Sequence, residues 1–84
     1  MSRVAVMSII VEARDSADAL NSILSEYGEY IIGRMGVPYK EKGISIISVA
    51  LDAPQDSISA LSGKIGKLPG VSVKTAYSSV ITDD

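Results

Sequence analysis

The sequence contains no histidine, cysteine, tryptophan or phenylalanine. Without imidazole or thiol it lacks the common protein ligands for zinc, nickel and copper. Ser-His and Cys-His nucleophile pairs are impossible within the chain and between its copies. Iron–sulfur clusters need cysteine, so electron transfer has no carrier, and neither disulfides nor thiolate zinc can brace the fold. Four tyrosines are the only aromatic residues, a poor platform for stacking single-stranded nucleic acid. The net charge of −2 argues against a basic nucleic-acid footprint. No apolar run approaches the ~18–20 residues of a membrane span. The apolar stretch from Val4 to Val11 has one Arg before it and runs into Glu12, Arg14 and Asp15. It reads as a buried strand rather than a signal peptide, and the protein as cytoplasmic.

What is present is a short, greasy chain. Apolar residues make up 46% of 84 positions and charged residues 21%, which indicates one folded domain spanning 1–84 rather than a disordered segment.

Residues 3–12 are rich in Val and Ile and predict a strand. Asp15 or Ser16 is suited to cap a following helix over 16–27, with Leu20 and Leu24 inward and Gly28 as a left-handed stop. Residues 29–37 predict a second strand whose glycines suggest a bulge, and 37–43 a polar turn. Residues 44–51 form a third β-branched run. Pro54 opens a second helix with Ile58, Leu61, Ile65 and Leu68 on one face. The Pro69-Gly70 turn ends it, residues 71–77 alternate as a fourth strand, and the tail from Thr82 is expected to fray. The order βαββαβ predicts an α+β, ferredoxin-like sandwich: a four-stranded antiparallel sheet with two helices on one face.

A sheet covered on one side only should alternate apolar and polar residues. The first strand instead places Ala5, Met7, Ile9 and Val11 on one side and Val4, Val6 and Ile10 on the other. The third strand is two-sided as well. An apolar patch of that extent on the open face predicts self-association as a homodimer or tetramer.

Few motifs carry chemistry. Ser62-Gly63-Lys64 resembles the end of a phosphate loop, but Ile58 stands where its first glycine belongs and the segment lies inside a helix. Gly63 and Gly66, with Ser59 and Ser62, form a stripe of small residues suited to close packing on the first helix or a neighbouring subunit, or to a ligand lying against the helix backbone. Gly33-Arg34-Met35-Gly36 has the spacing of a KH clamp, but within a strand of an acidic chain. Arg34 offers a guanidinium fork for a carboxylate or other anion. Arg34, Tyr39, Gly63, Lys64 and Gly66 are therefore the candidate ligand-binding residues. The junction 12–16 could hold an anion at a helix start, but a capping Asp15 would already use those donors. No pair of carboxylates stands out as an acid–base couple.

The segments 34–38, Arg-Met-Gly-Val-Pro, 43–47, Gly-Ile-Ser-Ile-Ile, and 60–75, from Ala60 through Leu68-Pro69-Gly70 to Thr75, resemble the small bacterial iron-only hydrogenase system regulators. The likeness spans about 3–77. It implies an ACT-like domain, close in fold to the ligand-binding half of nickel-responsive repressors. Nickel sensing does not carry over, because those repressors bind metal through His and Cys. Their ribbon-helix-helix DNA-binding segment has no counterpart in these 84 residues. The Pro-Gly turn that amino-acid-binding ACT domains carry after strand one is Ala13-Arg14-Asp15-Ser16 here.

Residues and resemblance together lead to a non-enzymatic regulatory domain that binds an unidentified small molecule as an oligomer. It would have no cofactor, no direct contact with nucleic acid or membrane, and a protein partner for any transcriptional effect. The alternative is a structural interaction module or assembly factor without a ligand. A small ferredoxin-like enzyme is a third reading, weakened by the missing histidine.

Overall fold

The computed structural model describes residues 1–82. Four strands, β1 (Ser2–Val11), β2 (Ile31–Tyr39), β3 (Ile44–Ala53) and β4 (Val71–Thr82), form one sheet in the order β2-β3-β1-β4. Every neighbouring pair is antiparallel. Helices α1 (Ala17–Glu26) and α2 (Gln55–Gly66) follow β1 and β3 and cover one face, which is the ferredoxin-like arrangement.

The core is the inner face of the two central strands against both helices. Ala5, Met7, Ile9 and Val11 of β1 and Val49, Leu51 and Ala53 of β3 are buried. They meet Leu20 and Leu24 of α1 and Ile58, Leu61 and Ile65 of α2. The helix spacing and the strand period of two each deliver one apolar face, and the faces close on each other. Thr75 of β4 also lies against this layer, its hydroxyl buried without a hydrogen-bond partner.

Several boundaries differ from those the sequence predicts, each for a physical reason. Neither Asp15 nor Ser16 caps α1: residues Arg14–Ser16 form a 3-10 turn, and no side chain bonds the free helix N–H groups there. Ser16 is buried instead, and its Oγ donates to the Pro69 carbonyl at 2.6 Å. Gly28 begins another 3-10 turn and is not left-handed; the positive-φ glycines among the described residues are Gly43 and Gly70. Pro54 precedes α2 rather than lying in its first turn. β2 starts at Ile31, with its bulge at Ile32, and runs on to Tyr39, so the turn expected over 37–43 is confined to the 3-10 turn Lys40–Lys42 and the left-handed Gly43. Proline is compatible with this because β2 is an edge strand, where one row of N–H groups needs no partner. β4 reaches Thr82 by pairing with Ser2 and Arg3 across a register shift. Inside that irregularity Ser78 Oγ donates to the Val4 carbonyl at 2.7 Å. Asp83 and Asp84, read as part of the tail, lie outside the described residues.

The Ser16 bond ties the β1–α1 junction to the α2–β4 turn. Replacing Ser16 with Ala would leave the Pro69 carbonyl short of a donor. We expect a loss of about 1–2 kcal/mol, measurable as a lower urea midpoint with an unchanged m-value.

Candidate functional site

The open face of the sheet bears out the two-sided strands. Val6, Met35, Val37, Tyr39 and Ile46 are exposed there, each at least 39% accessible. Register sets Val37, Ile46 and Ile10 side by side across three strands. Lys74 and Asp52 are the charged strand residues on this face among the described residues, and Asp52 accepts from Thr82 Oγ1 at 2.8 Å.

The helix side holds a concavity at its β2 edge. The inward positions of β2 are Arg34, Gly36 and Pro38, which pair with Val49, Ile47 and Ser45. Gly36 has no side chain and Pro38 is short, so a gap opens between β2 and α1. It is a cleft of about 300 Å³ lined by Val11, Ala17, Leu20, Asn21, Arg34, Gly36, Val37, Pro38, Ser45 and Ile47. Val11, Ala17, Pro38 and Ser45 also line an adjoining hollow of about 340 Å³, with Arg14, Lys40, Gly43 and Ile44. Most of the cleft lining is apolar, with Asn21, Arg34 and Ser45 as its polar side chains, the usual build of a small-molecule site. Arg34 Nη2 donates to Asn21 Oδ1 of α1 at 3.0 Å, which braces the guanidinium across the mouth of the cleft.

The five residues singled out by sequence do not converge. Arg34 lies in the cleft, but Tyr39, five positions on, points to the opposite face of the sheet. Lys64 belongs to the seam between α1 and α2. Its Nζ contacts Glu26 Oε2 at 2.8 Å and stands 5.0 Å from the centre of the Tyr27 ring. The Glu26 hydrogen bond, and then Tyr27, hold the Lys64 ammonium above its ordinary pKa. Asn21 and Glu26 are about 140° apart around α1, so Arg34 and Lys64 flank opposite sides of that helix. Gly63 faces open space, since a Cβ there would meet nothing within 4 Å, and Gly66 would reach only Val73 at 3.6 Å. The two glycines of the stripe thus make no close packing with α1.

Asn21, Pro38 and Lys40 are not among the sequence candidates; Gly36 enters there only through the clamp-like spacing of Gly33 and Gly36, and Arg14 only through the junction 12–16. A polar residue on an outer helix face reads as solvated. The usable signal was parity along β2, where Arg34, Gly36 and Pro38 share the inward side with little bulk among them. No group of three or more acidic residues is placed to hold a metal ion among the described residues. No helix there is long and apolar enough to cross a membrane.

The fold recurs in proteins of distant sequence. A formyltetrahydrofolate deformylase from Pseudomonas putida aligns with 87% of this chain and 28% of its own, at 13% identity and a TM-score of 0.63. The divalent ion tolerance protein CutA1 from Ehrlichia chaffeensis aligns with 99% of this chain and 88% of its own, at 16% identity and a TM-score of 0.53. At such identities the likeness concerns the fold alone. No curated protein sequence matches the chain. A nearer structure is the uncharacterized protein TM1266 from Thermotoga maritima, 35% identical over 92% of this chain and 98% of that one, with a TM-score of 0.89. Residues 3–75 match the family model TM1266-like, "Iron-only hydrogenase system regulator, putative". With nearly the whole fold matched by family model and structure alike, the chain belongs to the TM1266-like family of iron-only hydrogenase system regulators.

Proposed function

We propose that the chain is a non-catalytic regulatory module that binds a small molecule in the α1–β2 cleft and works as an oligomer in the cytoplasm. The observation that carries the reading is the cleft: a concave apolar floor, an uncovered stretch of β2 at Gly36 and Pro38, and a guanidinium braced by Asn21. The family description supports the regulatory role. The apolar open face supports self-association, because monomers rarely leave a continuous patch of that kind in water. Ligand and assembly would be linked by different ligand affinity in two assembly or partner-bound states. With a net charge of −2, control of transcription would pass through a protein partner.

A thermal-shift screen of amino acids, organic acids, nucleotides and metal ions tests the ligand; a flat response across all of them sinks ligand sensing. Sedimentation tests the assembly. We expect the protein to run as a dimer or tetramer at micromolar concentration. Ile46→Glu, in the middle of the open face, should yield a folded monomer with unchanged circular dichroism. A wild type that is monomeric throughout that range would exclude the oligomer.

A second reading, an interaction module without a ligand, is favoured by the apolar side chains along the two edge strands. Ile32 on β2 is 66% exposed, and Val80 and Ile81 on β4 are 54% and 51% exposed. A stoichiometric protein retained through purification from native extract, with no ligand response, would favour it.

A further inference from the structure

We infer that the α1–β2 cleft selects a small organic carboxylate with a compact apolar body, the carboxylate seated on Arg34. This rests on the ligand-binding reading above and names the chemical class of the ligand.

Charge is distributed unevenly around the cleft. The chain has ten acidic and eight basic residues, yet no Asp or Glu lines the cleft or the hollow beside it. Arg34 stands at one end and Arg14 and Lys40 at the other. In an acidic protein, every charged side chain lining the two hollows is thus cationic. Such a lining raises the local concentration of anions and disfavours cations.

Arg34 and Lys64 differ in their partners. Lys64 already has a carboxylate partner in Glu26 at 2.8 Å. Arg34 has a neutral one, Asn21, at 3.0 Å. An amide fixes the guanidinium without cancelling its charge, and one hydrogen bond leaves four of its five N–H groups for a ligand. The planar fork matches a carboxylate in two parallel hydrogen bonds. Bracing in advance also lowers the entropy cost of binding.

The shape of the cleft suits a compact apolar body. Leu20, Ile47 and Val11 supply an apolar floor beside the fork. At roughly 30 Å³ per water-sized group, about 300 Å³ holds a body of about ten non-hydrogen atoms. That suits the body of a branched short-chain acid. Gly36 keeps the floor open: a Cβ there would approach only Ile47 Cγ1, at 4.0 Å, so nothing in the packing demands glycine.

The test is a titration of isotope-labelled protein with 4-methylpentanoate, its neutral amide, and butyl phosphate, followed by backbone amide NMR. The expected result is saturable shifts at Asn21, Gly36 and Ser45 with the acid and none with the amide. Arg34→Gln can keep a hydrogen bond to Asn21 and should weaken the acid at least about tenfold. Gly36→Leu should abolish binding with Arg34 intact, because its side chain fills the cleft. Added salt should weaken binding, since the cationic side chains are exposed. Equal response to acid and amide, or an unchanged Arg34→Gln, overturns the inference. Butyl phosphate binding about tenfold tighter than the acid overturns the carboxylate in favour of phosphate. No response to any of the three overturns the anion site. In that event a thermal shift with a ligand of another class would still uphold ligand sensing, and sedimentation would judge the oligomer independently.

Discussion

Gly70→Ala is expected to destabilise the protein by about 3 kcal/mol or more, and Gly43→Ala by only about 1–2 kcal/mol. Both glycines have left-handed backbone, with φ of +67° and +66°. An alanine at either position pays the clash of its Cβ with the following carbonyl. At Gly43 nothing lies within 4 Å of the new methyl, and the cost ends there. At Gly70 the methyl would lie 2.6 Å from Ala13 Cβ and 2.9 Å from Ala13 N. The obstacle is partly backbone, and that backbone is pinned. Glu12 N donates to the Gly70 carbonyl at 2.7 Å, and Ser16 Oγ to the Pro69 carbonyl at 2.6 Å. To make room, the two turns would have to part and lose these bonds. At roughly 4–8 °C per kcal/mol for a domain of this size, Tm should fall by about 12–24 °C for Gly70→Ala. Parallel melts at one protein concentration decide it, because assembly makes Tm concentration-dependent. Equal losses for the two variants would mean that the turns separate freely.

The same junction shows why some of the fold was legible in the sequence and some was not. Periodicity is local, and it located every strand and both helices. The inward set Ala5, Met7, Ile9 and Val11 was readable because a strand's side chains alternate without exception between bulges. Long-range partners leave no local trace. Ser16 has the composition of a helix cap, yet its hydroxyl is satisfied by a carbonyl 53 residues away. β4 runs to Thr82 because Ser2 and Arg3 extend the far end of β1, a pairing of chain ends. Val37 to Tyr39 resemble part of the following turn unless β2 is known to be an edge strand, whereas Lys40–Lys42 and the left-handed Gly43 do form that turn.

The cleft was legible by halves. Arg34 could be singled out because its guanidinium offers a fork of donors to an anion. Its brace, Asn21, lies on another element and becomes meaningful only when α1 is laid across β2. Tyr39 and Lys64 were grouped with Arg34 by chemistry alone. Strand parity separates the first from it and the girth of α1 the second. Chemical type finds candidates in a sequence, while convergence depends on side-chain direction.

Ile9→Ala and Ile10→Ala, adjacent in β1, should behave in opposite ways. Ile9 is fully buried between Ile47 and Val73, facing the helices. Truncating it removes three carbons from a closed core, at a cost of about 3–4 kcal/mol. Chains of 84 residues are typically stable by about 4–13 kcal/mol, so Ile9→Ala takes a large share of the total. Ile10 lies between Ile46 and Ser72 on the open face and is only partly covered in one copy of the chain. Its truncation should cost about 1 kcal/mol in dilute protein, since little is buried there to lose. At high concentration its loss should grow, because a copy packed on the open face would bury the rest of that side chain. Urea unfolding at submicromolar and at high micromolar protein separates the two sites. Ile9→Ala should show the same penalty at both concentrations and Ile10→Ala a penalty that rises. A concentration-independent penalty at Ile10 would mean that the open sheet face is not where the chains meet, and would move self-association to the edge strands.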